Sequence, residues 1–457
     1  MSRFLFAALP ADGHVSPMLP LARELTDRGH EVLWLTGRRY RDRVEAVGAA
    51  HLPFIDAPEI DASRLDEQFP GRADTKGLGR FRFDMREIFI ASVPGQVADL
   101  ERHVANAQPD VVVAEPSMAA AAKILEERCG IPWATFGIGP FAMPSRDTAP
   151  FGLGLQPSRT ALGRARNRAL GALMDRTLFR TVNADYRAMV DRLGTQASDG
   201  GLFATTLSPY LYLHPSVEAF EYPRSDLAPQ VHFVGAHIPP APPAAQLPEW
   251  WGEMLEDDRP VVLVTQGTIA TDPSELVLPT IEALAGAPVQ VIATTGGPDP
   301  ADLPTPPANA RIERYVPFGA LMPHVAVYVT NGGYGGLHFA LSHGVPLVVA
   351  GATEEKPELV ARTTWSGAGI GLRRQRVPAR RVGPAVRRVL DDPRYRRRAQ
   401  AIQADLATGG GPAHSADLVE RLCATRRPVL RGVDAPATGA GAPQLAGTGA
   451  ELTRPRS

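Results

Sequence analysis

Short apolar segments alternate with amphipathic helical segments twice along these 457 residues, once on each side of a stretch crowded with proline. The first run opens with an apolar strand at 3–9 and a loop at 10–16. A helix follows, with Met18, Leu21, Ala22 and Leu25 on one face and Gly29 as its stop. Ser16-Pro17 reads as its N-cap and first helical residue. Strands follow at 31–36, 109–114 and 132–136, with a helix through Met118, Ala122 and Leu125 between the last two. Segment 145–200 reads as helical and basic. The second run has strands at 261–266, 289–294, 325–330 and 346–350, a helix at 273–284, and helices over most of 357–424. Strands that are apolar throughout are the mark of parallel sheets covered on both faces. The expected class is therefore α/β, with two Rossmann-like domains whose parallel sheets face a central cleft. Ligands of such sheets sit outside the carboxyl ends of the strands.

Pro239, Pro240, Pro242, Pro243 and Pro248 make a stiff connection, so the expected division is 1–238, a linker at 239–250, and 251–425. From Arg426 to Ser457 the chain is rich in Gly, Ala, Pro and Thr without apolar periodicity, and reads as a disordered tail. With 48 Lys+Arg against 49 Asp+Glu, the net charge of −1 excludes a general nucleic-acid binder, whose affinity needs a basic surplus. Two cysteines, Cys129 and Cys423, build no disulfide framework and suit a reducing cytoplasm. The opening MSRFLFAALPADGH has no apolar run of signal-peptide length, and no stretch is long enough for a spanning helix, so neither is expected.

The residues that carry chemistry fall at strand ends. His14 lies in the loop after the first strand, near the positive end of a helix, where neutral imidazole is favoured and a hydroxyl proton could be accepted. Glu115 emerges at the same edge and could hold the imidazole tautomer. In the second run Gln266-Gly267-Thr268 follows one strand and Asn331-Gly332-Gly333-Tyr334-Gly335-Gly336 follows another. Four glycines at a helix start cost conformational entropy. They make sense where backbone N–H groups must approach a phosphate. The turn has neither the Gly-Lys-Ser/Thr of a Walker loop nor GxGxxG spacing. Thr353-Glu354-Glu355-Lys356-Pro357 follows the next strand, and a carboxylate there could accept hydrogen bonds from sugar hydroxyls. No HExxH or comparable metal-ligand spacing occurs.

The opening strand–GHVSP–helix unit, RYVPFGALMPH, and VTNGGYGGLHFALSHGVPLVVAGATEEKP together resemble the UDP-glycosyltransferase superfamily, and within it the bacterial macrolide-type enzymes of the GT-B fold. The resemblance implies an inverting sugar transfer in which His14 is the general base and Glu115 its acidic partner, where relatives carry Asp. It implies donor-binding roles for Gly267, Thr268, Tyr315, Val316, Asn331, Gly332, Gly333, Gly335, Gly336, Glu355 and Lys356. A nucleotide sugar is then the co-substrate, an apolar small molecule the acceptor, and neither a metal nor another cofactor is expected; the protein is expected as monomer or homodimer.

This sequence also departs from the family pattern. Asn331 stands for a His that binds diphosphate, Gly335 and Gly336 for Asn and Ser or Thr, Tyr315 for Trp, Phe318 for Gln, and Lys356 for Gln. The donor is left open between UDP- and TDP-sugars. Phe81, Phe83, Met85, Phe89, Phe141 and Met143 are candidates to line an apolar acceptor pocket, and the arginines of 373–398 read as a solvated helical face. The competing classes are a non-catalytic homologue acting as a partner or activator, fed by the changes at 331, 335 and 336, and a nucleotide-sugar epimerase.

Overall fold

The computed structural model describes residues 1–61, 64–238, 247–266 and 272–432. Gly267, Thr268, the proline cluster at 239–246 and the segment 433–457 lie outside the described residues.

Seven parallel strands form the first sheet: β1 (Arg3–Ala7), β2 (Glu31–Leu35), β3 (Ala50–Leu52), β4 (Val111–Ala114), β5 (Trp133–Phe136), β6 (Leu211–His214) and β7 (Val231–Phe233). Their spatial order is β3-β2-β1-β4-β5-β6-β7. Six more form the second sheet: β8 (Val261–Thr265), β9 (Gln290–Thr294), β10 (Ala310–Glu313), β11 (Val325–Thr330), β12 (Leu347–Ala350) and β13 (Gly369–Leu372), in the order β10-β9-β8-β11-β12-β13.

The alternation of side chains explains why the central strands are almost wholly apolar. In β1, Leu5 and Ala7 enter one core with Ile88, Val97 and Leu125, while Phe4 and Phe6 enter the opposite one with Met18, Leu21 and Leu25. In β8, Val262 and Val264 pack with Ile281 and Val386, while Val261 and Leu263 pack with Leu337 and Leu341. Each sheet is thus buried on both faces.

Each strand order reverses once. In the first sheet the reversal lies between β1 and β4, and in the second between β8 and β11. A crevice opens at such a point, at the carboxyl ends of the two strands. The loops leaving it carry His14 and Glu115 in one lobe, and the segments after Thr265 and Thr330 in the other.

The placement of 411–425 in the second lobe and the expected disorder over 426–432 differ from what is found, while the rest of the expected tail, 433–457, lies outside the described residues. Helix Gly411–Thr425 packs on the first lobe: Ala416, Val419 and Leu422 share a core with Leu21 and Leu25. Arg28 Nη1 meets Asp417 Oδ1 at 2.7 Å and His30 Nε2 meets Glu420 Oε1 at 2.8 Å. Beyond it Val429 is fully buried, its N–H donating to the Tyr210 carbonyl at 2.8 Å. A few apolar positions, 418, 419, 422 and 429, outweigh the turn-rich composition around them.

The returning chain passes the outgoing one at backbone contact. A Cβ at Gly409 would stand 2.5 Å from the Gly235 nitrogen, and one at Gly235 2.5 Å from the Leu406 carbonyl. Gly235 also has φ +76°, so both conformation and space demand glycine there.

Candidate active site

The helix after β1 begins earlier than its sequence suggests. Ala11 is extended (φ −130°, ψ 146°) and serves as the N-cap, so Asp12–Val15 is already helical and a 3-10 turn, Ser16–Met18, follows. His14 therefore sits in a first helical turn rather than a loop, its N–H donating to the Ala11 carbonyl at 2.9 Å. Its imidazole is partly exposed, with Nδ1 3.2 Å from Oε1 of the fully buried Glu115. The N–H direction is not aimed squarely at that oxygen, so the contact is first of all an ion pair. Glu115 is held by its own backbone donors: Leu9 N–H to Oε1 at 3.2 Å and Ser117 N–H to Oε2 at 2.8 Å. With Nδ1 turned to Glu115, Nε2 is the nitrogen left for a substrate.

The expectation that the helix start favours neutral imidazole is corrected here. Burial lowers the His14 pKa, but the Glu115 carboxylate beside it, with a smaller push from Glu355, raises it above 6.5 overall. A four-residue helix carries only fractional end charge, whereas Glu115 carries a full one and is completely buried. Burial likewise raises Glu115, yet His14 and the two N–H donors bring it below 4.5. Both groups are charged between about 4.5 and 6.5, so the pair stabilises the fold most in that window. The His14 contribution is complete below 6.5 and fades as pH rises through its raised pKa; that of Glu115 is complete above 4.5 and fades as pH falls through its lowered one. If neutral His14 is the working form, activity rises through a midpoint above 6.5. Glu115→Gln leaves burial opposed only by the weaker push from Glu355 and is expected to shift that midpoint downwards in a pH–rate profile. A midpoint that stays in place would show that Glu115 does not tune the imidazole.

In the second lobe, β11 ends at Thr330 and the chain turns through buried Asn331 into helix Tyr334–Leu341. The four glycines have different reasons. Gly332 has φ +89°, which glycine adopts without strain. A Cβ at Gly336 would stand 3.0 Å from Tyr328 Oη, a packing restriction. At Gly333 and Gly335 a Cβ would meet nothing within 4 Å. The space at these two positions is open, at the N-cap and in the first turn of a helix whose first N–H groups have no intrahelical acceptor.

After β12 the chain turns into helix Lys356–Ser366. Burial pushes the Glu355 carboxyl up, with neighbouring Glu354 adding to it, while Lys356 and His14 pull it back in part. Lys356 is buried; its Nζ lies 2.9 Å from Glu354 Oε2, without hydrogen-bond alignment. Its stem runs past Gly351, where a Cβ would stand 2.5 Å from Lys356 Cβ and 3.1 Å from the Asn331 carbonyl. That places the ammonium stem beside the glycine-rich turn. Tyr315 is 64% exposed, with its hydroxyl donating to the Gly296 carbonyl at 3.1 Å, and Val316 is buried behind it.

A cavity of about 170 Å³ lies between the lobes. Ser16, Pro17 and Ile138 line one side, and Gly335, His338 and Phe339 the other. The turn that follows His14 therefore faces the start of the glycine-rich helix.

The acceptor candidates divide. Phe81, Phe83, Met85 and Phe89 are partly buried, with Met85 and Phe89 in the π-helix Asp84–Ile90, a widened turn. Phe141 and Met143 are core residues, buried with Tyr212 and Val231. Phe141 is enclosed by the Tyr212 and His214 rings and by the Arg224 guanidinium 4.6 Å from its centroid, so neither it nor Met143 is placed to line an open pocket. Sequence reading missed Ser16 and Pro17 as cleft residues. It also missed Tyr334, His214, Glu221 and Arg362, which meet between the lobes. Among the described residues no group of three His, Cys, Asp or Glu is arranged to hold a metal, and no helix is long and apolar enough to cross a membrane.

Residues 279–422 match the family described as erythromycin biosynthesis protein CIII-like, C-terminal domain. Over 422 residues the chain is 46% identical to 4'-demethylrebeccamycin synthase of Lentzea aerocolonigenes, covering 92% of this chain and 99% of that protein. It is 34% identical over 445 residues to UDP-glycosyltransferase 2 of Phaeomoniella chlamydospora, covering 92% and 95%. Its fold is similar to that of the calicheamicin glycosyltransferase CalG4, with TM-score 0.72 and 24% identity over 94% of this chain and 100% of the other. The glycosyltransferase SnogD from Streptomyces nogalater gives TM-score 0.65 and 23% identity, over 92% and 99%.

Proposed function

This chain belongs to the UDP-glycosyltransferase superfamily as a natural-product glycosyltransferase of the GT-B fold, and from that premise we propose that it transfers a sugar, with inversion, from a UDP- or TDP-sugar to a hydroxyl of an apolar small molecule such as a polyketide, macrolide or flavonoid. The acceptor hydroxyl gives its proton to His14 Nε2 as its oxygen attacks the anomeric carbon. The bond from that carbon to the nucleotide diphosphate breaks, and the diphosphate leaves with the electron pair. General-base assistance of this kind contributes about 10²–10⁴-fold. Backbone donors at the helix start stabilise the leaving charge, so the step as written assigns no role to a metal. Glu355 and Lys356 hold the donor sugar. The exposed face of Tyr315 is offered to the nucleotide base, and neither base is excluded by an aromatic face.

The observation that carries this reading is the His14–Glu115 pair set across the cleft from the open glycine-rich helix start. Its retention also weighs against a partner protein without activity. We assign the protein to the cytoplasm, where the unpaired Cys129 and Cys423 fit a reducing medium.

The test incubates the full chain with UDP- and TDP-sugars and a panel of apolar acceptors, with products identified by mass spectrometry. One relative is named for making 4'-demethylrebeccamycin, so the precursor of that compound belongs in the panel. The expected result is an acceptor–sugar adduct whose anomeric configuration, read by NMR coupling, is opposite to that of the donor. Retained configuration, or conversion of donor alone, contradicts the reading.

A further inference from the structure

Arg362 is 1% exposed and stands on the helix that begins at Lys356. Its Nε donates to Glu221 Oε2 at 2.9 Å and its Nη1 to Glu358 Oε2 at 2.8 Å. Glu221 belongs to the segment that follows β6 of the first lobe. Its other oxygen accepts from the Tyr334 hydroxyl at 3.0 Å and from the Phe141 N–H at 3.3 Å. Tyr334 lies inside the glycine-rich motif, and its oxygen is also 2.8 Å from His214 Nε2, on β6 itself. Burial lowers the His214 pKa, and its Nδ1 has no partner, which fits a neutral ring with the proton on Nε2. The chain of donors then runs from His214 Nε2–H to Tyr334 oxygen, and from Tyr334 O–H to Glu221. On the other side Glu358 Oε1 accepts from the N–H groups of Gly152 and Gly154, in a first-lobe loop, at 2.9 and 2.8 Å.

The two second-lobe helices in this network are those whose starts carry Asn331–Gly336 and Glu355–Lys356. Both are therefore registered against the lobe that carries His14. Buried ion pairs add little net stability, because desolvation cancels most of the attraction; their best attested use is to fix one arrangement among several. A residue that only packed at position 334 would need no hydroxyl, and an unpaired one would be costly at this buried position.

We propose that Tyr334, Glu221 and Arg362 are positioning residues that set the distance between the His14 base and the donor held by the second lobe. This rests on the function proposed above. The donor's nucleotide diphosphate binds mainly to one lobe, so loss of registration leaves its affinity intact and penalises the chemical step. A misplacement of about 1 Å is enough to cost on the order of 10²-fold in rate.

The experiment compares wild type with Tyr334→Phe, which removes one oxygen and keeps the ring. It measures kcat at saturating donor and acceptor, Kd for UDP and TDP by calorimetry, and the pH midpoint of the rate. The expected result is a fall in kcat of roughly 10–100-fold, with Kd within about twofold and the pH midpoint unmoved. Glu221→Gln should fall similarly. The double variant should lose little beyond the worse single one, as expected for members of one network. Arg362→Lys, which keeps the charge, should retain more rate than Arg362→Met. An unchanged kcat in Tyr334→Phe overturns the proposal, as does a loss confined to Kd. Tyr334→Phe keeps the test valid if the Arg362 variants fail to fold. Wild type that transfers no sugar removes the proposed function instead, so the two failures are distinguishable.

Discussion

His14→Ala is expected to lower kcat by about 10²–10⁴-fold, the usual contribution of a positioned general base, while nucleotide affinity stays near that of wild type. The donor's proposed contacts lie on the opposite lobe, so the two measurements separate chemistry from binding. Folding should survive, because Glu115 keeps its two backbone donors, Leu9 and Ser117, when the imidazole is lost. The variant does remove the cation that lowers the Glu115 pKa, so the carboxyl should titrate higher and the protein should lose stability at a higher pH on acidification. Turnover close to wild type in a folded His14→Ala protein would remove the imidazole from the mechanism and leave Glu355, the other carboxyl near the cleft, as the group to examine.

The second large effect is expected at Gly333. Gly333→Asp places a carboxylate where the donor diphosphate is proposed to sit. At about 4 Å and an effective dielectric near 20, one like-charge pair costs about 4 kcal/mol, roughly a thousandfold in affinity. The fold should tolerate the change. Gly333 has φ −97°, which any residue adopts, and no atom lies within 4 Å of the added Cβ. It is also the N-cap of helix Tyr334–Leu341, where Asp is among the preferred residues and gains a few tenths of a kcal/mol over glycine. The expected combination is therefore abolished UDP and TDP binding in calorimetry with an unchanged or raised Tm. Gly333→Ala, which adds bulk without charge, should bind measurably. Intact binding in Gly333→Asp would show that the diphosphate does not use this helix start.

Much of the candidate site was legible because a parallel sheet places the loops that leave its strands by topology. Once β1, β4, β8 and β11 are recognised as apolar runs, the residues after them are the cleft, and His14, Glu115 and Asn331–Gly336 follow directly. What escaped was set by contacts distant in sequence. β13, Gly-Ile-Gly-Leu, has too few side chains to show a strand pattern, and it reads as part of a helical region until Leu347–Ala350 is seen pairing with it. Phe141 looked like a pocket residue because aromatic side chains in a variable segment read alike whether they face a ligand or a core. Only its enclosure by Tyr212, His214 and Arg224 decides the matter. The raised pKa of His14 was hidden for the same reason, since the strength of the Glu115 effect depends on its complete burial.

The return of helix Gly411–Thr425 to the first lobe makes the second lobe an insertion within the first. The polypeptide enters and leaves it side by side, at Gly235 and Gly409. An exchange of lobes with a relative therefore needs two junctions. A single cut in the proline stretch would strand Leu418, Val419 and Leu422 as an exposed oily stripe on the transplanted half and strip the matching surface from the half left behind.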